Sequence, residues 1–109
     1  MERDNYKVIY SSMAKKDLIK IAKYIAFELC TPDAADNFLV EVDQAAEELK
    51  KFPLAGALYK SKKDRKQQYR MKFIKNFTAY YVVVGNTVEI RRVLYKRRDA
   101  RNFITSNRA

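Results

Sequence analysis

The chain has no histidine, one cysteine, two glycines and two prolines in 109 residues. Without histidine, the usual side chain that titrates near neutral pH is missing, so no Ser-His-Asp or Cys-His site can be assembled from this chain alone. One cysteine and no histidine also leave too few ligands for a structural zinc site. Cys30 has no partner for an internal disulfide, and the residues around it do not mark it as an activated thiolate, so a partly buried place in a helical hairpin is expected for it. Gly56 and Gly85 stand isolated, which excludes a glycine-rich phosphate loop. The N-terminus carries no apolar stretch that reads as a signal peptide. The longest apolar segment, around residues 80–84, falls well short of the ~18 residues of a membrane span. The expectation is a soluble, cytoplasmic chain with no cofactor, no metal and no membrane partner.

Acidic residues are scarce in one half only. Between Lys60 and Arg108 lie fifteen of the twenty-three bases, against Asp64, Glu89 and Asp99, a net of +12. The first 59 residues hold eight bases and ten acids, a net of −2, so the overall +10 describes one end of a polar molecule. Such asymmetry points toward a polyanionic partner. The basic half also interleaves its cations with strand-forming residues, as in Tyr69-Arg70-Met71-Lys72-Phe73 and Val93-Leu94-Tyr95-Lys96-Arg97-Arg98, which a disordered basic tail would lack. With 48% apolar residues, residues 1–109 are read as one domain, burying ~65% of the surface that its unfolded chain exposes.

The periodicity sets out the elements. Tyr6-Lys7-Val8-Ile9-Tyr10 is a β-prone run ending in Ser11-Ser12, both good helix caps. Leu18, Ile21, Ala22, Ile25 and Leu29 then recur at three- and four-residue steps, which predicts an amphipathic helix over about residues 13–29. Thr31 and Pro32 supply a cap and a first helical residue for a second helix, and Phe52-Pro53 ends it. Residues 54–68 read as a charged loop. Beyond it the period falls to two, and 69–74, 77–84 and 87–95 read as strands joined by Lys75-Asn76 and Gly85-Asn86. A strand, a helical hairpin and a three-stranded antiparallel meander, in the order β-α-α-β-β-β, make a two-layer α+β domain with the helices on one sheet face.

In the strand from residue 69, alternation separates Met71 and Phe73 from Arg70 and Lys72. If the apolar pair meets the helices, both cations project from the uncovered face. Arg70, Lys72, Arg91, Arg92, Lys96, Arg97, Arg98 and Arg101, with Tyr80, Tyr81, Tyr95 and Phe103 nearby in sequence, combine phosphate-contacting cations with rings that stack on bases. That combination suits single-stranded RNA. Tyr81 reads more readily as a packing residue.

Several strings, in this order, resemble the RelE/ParE superfamily of toxins from prokaryotic type II toxin-antitoxin systems. They are Tyr6-Lys7-Val8-Ile9-Tyr10-Ser11 with Ala14 and Asp17-Leu18, then Tyr24-Ile25, and Pro32 with Ala34-Ala35 and Phe38. Leu49, Phe52-Pro53, Asn76-Phe77-Thr78-Ala79-Tyr80-Tyr81 and Arg92-Val93-Leu94-Tyr95 before Arg97-Arg98-Asp99 complete the match. The resemblance implies a toxin held inactive by a cognate antitoxin. The superfamily's two activities are ribosome-dependent mRNA cleavage, RelE-like, and inhibition of DNA gyrase, ParE-like; the fold alone does not choose between them. The nuclease reading, with ribosome and mRNA as partners, assigns catalytic roles to Arg70, Lys72, Arg97 and Arg98, and RNA contacts to Lys75, Arg92, Tyr95, Lys96, Arg101 and Phe103. In that scheme a 2′-OH attacks the adjacent phosphate, arginines stabilise the phosphorane, and Lys72 with a depressed pKa, or Tyr95 or Tyr80, takes the proton. Two positions depart from the nuclease pattern: Phe77-Thr78 stands where a Tyr-Arg pair is usual, and Phe103 where a catalytic Tyr is usual. Those departures keep a gyrase inhibitor without nuclease chemistry, or a binding module that has lost toxicity, as the alternatives.

Overall fold

The computed structural model describes residues 6–59 and 68–96. Strand β1 (Lys7–Tyr10) leads into helix α1 (Ser12–Lys23), which continues as a π-helical turn over Tyr24–Glu28. Helix α2 (Pro32–Lys51) returns beside it, followed by a two-residue strand β2 (Ala57–Leu58) and the strands β3 (Arg70–Ile74), β4 (Phe77–Val84) and β5 (Thr87–Tyr95). The expected strand, hairpin and meander are all present. Strand β2, inside the segment read as loop, is an addition too short to leave a periodic signal.

The five strands lie in the order β1-β5-β4-β3-β2. Strand β1 pairs parallel to β5, with Val8 opposite Val88 and Tyr10 opposite Ile90, and the other pairs are antiparallel. A parallel pair needs a long crossover, and the helical hairpin supplies its start. Ser11 joins the layers, since its hydroxyl accepts from the Ala14 N–H at 3.1 Å and donates to the Arg91 carbonyl at 2.9 Å. Thr31 does not cap α2 with its side chain as expected. Its hydroxyl donates instead to the Ile25 carbonyl at 3.0 Å, tying off the π turn. Cys30, at φ 53° in the link, is exposed, contrary to the expected partial burial.

The main core lies between the hairpin and one sheet face. Ala14, Phe38, Val42, Ala45 and Leu49 meet Ile74, Ala79, Tyr81, Val88, Ile90 and Val93. Strict alternation would not put both Ile90 and Val93 on the helix side. A register shift beside Tyr80 and Tyr81, where Tyr81 pairs Ile90 and Tyr80 pairs Arg92, leaves Arg91 as the extra residue and reverses the phase.

Among the described residues, the opposite face carries no exposed row of cations. Tyr69, Tyr80, Val82 and Leu94 are buried there, with Tyr59 and Met71 packed against them. The alternation expected for β3 holds, but its sides are reversed. Arg70, Lys72 and Ile74 face the helix layer, and Met71 joins the aromatic cluster of the other face. Both faces bury apolar groups, so polarity was a poor guide to which one the helices cover.

Candidate functional site

Arg70 opens β3 opposite Tyr81. One of its terminal nitrogens donates to the Leu54 carbonyl at 3.0 Å and to the Gly56 carbonyl at 2.9 Å. The Tyr81 ring is fully buried, and its hydroxyl donates to the Pro53 carbonyl at 2.8 Å and accepts from the Gly56 N–H at 3.2 Å. Together they latch the turn that follows α2 onto the sheet. Lys72 forms a close ion pair with Glu48 of α2. Lys75, at φ 52° in the β3–β4 turn, pairs with Glu41 at 3.1 Å.

Arg92 forms the most buried ion pair among the described residues. Its Nε and Nη2 donate to the two carboxylate oxygens of Asp17 at 2.8 and 3.0 Å, and the Val93 N–H donates to the same carboxylate at 2.9 Å. Strand β1 has already ended opposite Ile90, so Asp17 supplies the acceptor that a neighbouring strand would otherwise give Val93. Sequence reasoning missed Asp17 as anything more than part of a matching string. The available signal was its spacing: three residues after Ala14 and four before Ile21, it sits on the apolar stripe of α1. An acid there calls for a buried cation.

Among the other candidates, the Tyr95 ring meets Phe77 edge-on at 5.7 Å between centroids. Lys96 Nζ lies 5.3 Å from the centroid of Phe73, an exposed ring, and the Lys96 N–H donates to the Asn76 carbonyl. Arg97, Arg98, Arg101 and Phe103 lie outside the described residues. The structure therefore does not draw Arg70, Lys72, Lys75 and Arg92 into one cluster aimed at a common point. Each holds an internal acceptor. Arg91 does likewise, with Nε on Glu89 at 2.7 Å and Nη1 on the Tyr69 hydroxyl at 3.2 Å. Burial pulls the Arg91 pKa down, but the Glu89 and Tyr69 hydrogen bonds and charges outweigh it and hold the pKa above its ordinary value. Among the described residues, no three His, Cys, Asp or Glu side chains come together as metal ligands would, and no helix is long and apolar enough to cross a membrane.

A groove runs between the hairpin and the β3–β4 turn, with a volume of about 820 Å³. Ile21, Tyr24, Ile25, Phe38, Phe77 and Tyr95 line it, and Phe38 and Phe77 meet edge-on at 5.0 Å. Helical spacing alone marks these residues as core. Only the docking of the hairpin beside the turn leaves their edges facing an open channel.

Two phenols titrate abnormally. Burial raises the Tyr81 pKa above 10.0, against the lowering effects of the Gly56 N–H and the Arg70 charge. Burial, and then the Asp43 charge, raise that of Tyr10. Native phenols that hold their protons above the unfolded value contribute stability that is complete below about pH 10 and lost as pH rises through the folded pKa. The melting temperature should therefore fall in alkaline buffer, and less steeply for Tyr81→Phe than for the parent chain. Equal alkaline slopes for the two, in melts from pH 8 to about 11, would exclude Tyr81 as a source.

Comparison with known proteins now adds identity to geometry. The sequence profile described as the ParE toxin of the type II toxin-antitoxin system, parDE, matches residues 8–100. A search of curated proteins returns no significant match. Among solved structures, the chromosomal ParDE toxin-antitoxin system of P. aeruginosa aligns with a TM-score of 0.66 at 18% identity, covering 84% of this chain and 97% of that one. The archaeal RelE-RelB complex of Pyrococcus horikoshii OT3 aligns at 0.54 and 14% identity, covering 86% and 98%. At such identities these two likenesses concern the fold. With a profile spanning residues 8–100, the chain belongs to the ParE toxin family, within the RelE/ParE superfamily of type II toxin-antitoxin toxins.

Proposed function

We propose that this toxin acts in the ParE manner, by binding a protein target, DNA gyrase, without cleaving RNA, and that a cognate antitoxin holds it inactive in the cytoplasm. The observation that carries this reading is the commitment of the sheet cations. Stabilising a phosphorane requires donors already aimed at the position where charge develops. Arg70 is turned onto two backbone carbonyls, and Arg92 onto a buried carboxylate. Freeing Arg92 leaves the buried Asp17 carboxylate without its partner, and freeing Arg70 releases the turn after α2 from the sheet. Thr78, buried where the nuclease pattern has Arg, supplies no cation.

A nuclease reading draws on a different observation. Exposed Phe73 and Tyr95 flank Lys96 just before Arg97 and Arg98, and rings beside cations can stack on unpaired bases. Paired assays separate the two. With purified chain, inhibition of gyrase supercoiling is expected; on a reporter mRNA during induced expression, primer extension should show no new A-site stops. Codon-aligned cuts together with unimpaired supercoiling would reverse the assignment. Normal growth despite intact protein would point to a binding module without toxicity.

A further inference from the structure

Four hydrogen bonds tie the turn between α2 and β2 to two side chains of the sheet, Arg70 and Tyr81. Within the turn the Ala55 N–H also closes onto the Phe52 carbonyl at 3.2 Å, and Pro53 is buried. The backbone is thus fixed from below. What it carries outward is apolar: Phe52 is 65% and Leu54 60% exposed, and Leu58, next in β2, is 41% exposed. Lys51 beside them is exposed and forms no ion pair among the described residues. Strand β2 is the last of the sheet, so no described strand covers its outer edge. A loose turn could fold such groups back onto the core. A latched one holds them in water, and large apolar groups gathered on one exposed knuckle mark an interaction surface.

We infer that this knuckle is the anchor by which the chain docks on its protein target, Phe52, Leu54 and Leu58 entering an apolar pocket and Lys51 meeting carboxylates at its rim. Rigid exposed groups make effective anchors, because little conformational freedom is lost when they bind. A nucleic acid would satisfy the charge but leave the three apolar groups wet. A second copy would bury them but bring like charges together, since the half of the chain with net +12 begins at Lys60, two residues past β2. A protein pocket edged with acids meets both demands. Resting on the ParE reading above, the occupant is DNA gyrase. The knuckle is also remote from the groove: α2 lines the groove from Ala34 to Glu41, and Phe52 lies roughly 16 Å farther along the helix axis. Arg70 and Tyr81 are positioning residues in this scheme, acting through the turn that they hold.

The test uses the purified full chain in a gyrase supercoiling assay, with thermal melts of the same proteins. Phe52→Ala with Leu54→Ala should raise the concentration for half-inhibition at least about tenfold, and should melt near the parent because both groups are exposed. Ile19→Ala with Val40→Ala, which removes comparably exposed groups from the helices, should stay within about twofold. Lys51→Glu should weaken direct gyrase binding about threefold at ~0.15 M salt and by less at higher salt. Arg70→Met leaves every anchor in place but frees the turn, and should cost at least about threefold in inhibition; a lowered melt with unchanged inhibition would reduce Arg70 to a structural role. Equal losses in the two alanine pairs overturn the docking surface, as does a parent dimer in sedimentation that the Phe52 and Leu54 pair dissolves without loss of inhibition. Failure of the parent chain to inhibit supercoiling rejects the gyrase reading and this occupant with it. Inhibition by the parent that the Phe52 and Leu54 pair fully retains rejects the knuckle alone.

Discussion

Asp17→Ala is expected to remove about 3–5 kcal/mol of folding stability, the usual cost of breaking a buried ion pair from one side. The side chains of Arg92 and Asp17 are only 14% and 11% exposed, so the guanidinium left behind has little water to turn to. The Val93 N–H loses its acceptor in the same step, at a place where no strand remains to replace it. A domain of this size has roughly 5–15 kcal/mol in total, so the variant should forfeit a large share of its stability and melt well below the parent. Urea denaturation of parent and variant measures the loss directly. Replacing both partners, Asp17→Leu with Arg92→Met, should recover much of the Arg92 cost, because apolar side chains of similar volume carry no uncompensated charge. The Val93 N–H would still lack an acceptor, so recovery should stop about 1–2 kcal/mol short. A loss below about 1 kcal/mol for Asp17→Ala would show that the pair is neither dry nor needed by the strand.

Gly56→Ala is the second large effect, and its cause is space. A Cβ built on Gly56 would lie 2.3 Å from the Tyr81 hydroxyl and 2.7 Å from the Met71 carbonyl oxygen. Tyr81 cannot retreat without abandoning the Pro53 carbonyl, and Met71 is held in β3 by its pairing with Ala57 and Tyr80. Overpacking of this kind costs about 1–3 kcal/mol, and a weakened Tyr81–Gly56 hydrogen bond adds about 1 kcal/mol. Gly85→Ala is the contrast. At φ +61° it has nothing within 4 Å of the new carbon, so only the left-handed backbone penalty of about 1 kcal/mol applies. Melting curves should rank the two variants clearly, Gly56→Ala falling further. The reverse order would mean that the turn after α2 gives way easily, and that the Tyr81 and Arg70 latch does not hold it.

Much of the fold was legible in local pattern. The strands 77–84 and 87–95 match the structure to the residue, because tight turns and period-two runs are properties of adjacent residues. The helix starts lay within a residue of their signals, Ser11-Ser12 and Pro32, for the same reason, whereas the π turn over Tyr24–Glu28 left no such signal. The candidate site was legible only as composition. Arg70, Lys72, Lys75 and Arg92 were correctly noticed as cations, yet their acceptors lie 14 to 75 residues away in sequence. No local rule sees Asp17 beside Arg92, or Gly56 beneath Tyr81.

The sequence by itself therefore determined the element order, the two-layer class, the charge asymmetry and the family, all of which reside in short-range spacing and composition. Tertiary structure decided which sheet face the helices cover and which cations are spent internally. Those outcomes depend on the bulge at Arg91 and on how the hairpin docks against β3 and β5. Partnering of a charge is a property of distance in space, and a chain that alternates apolar and basic residues is compatible with either face until packing chooses one.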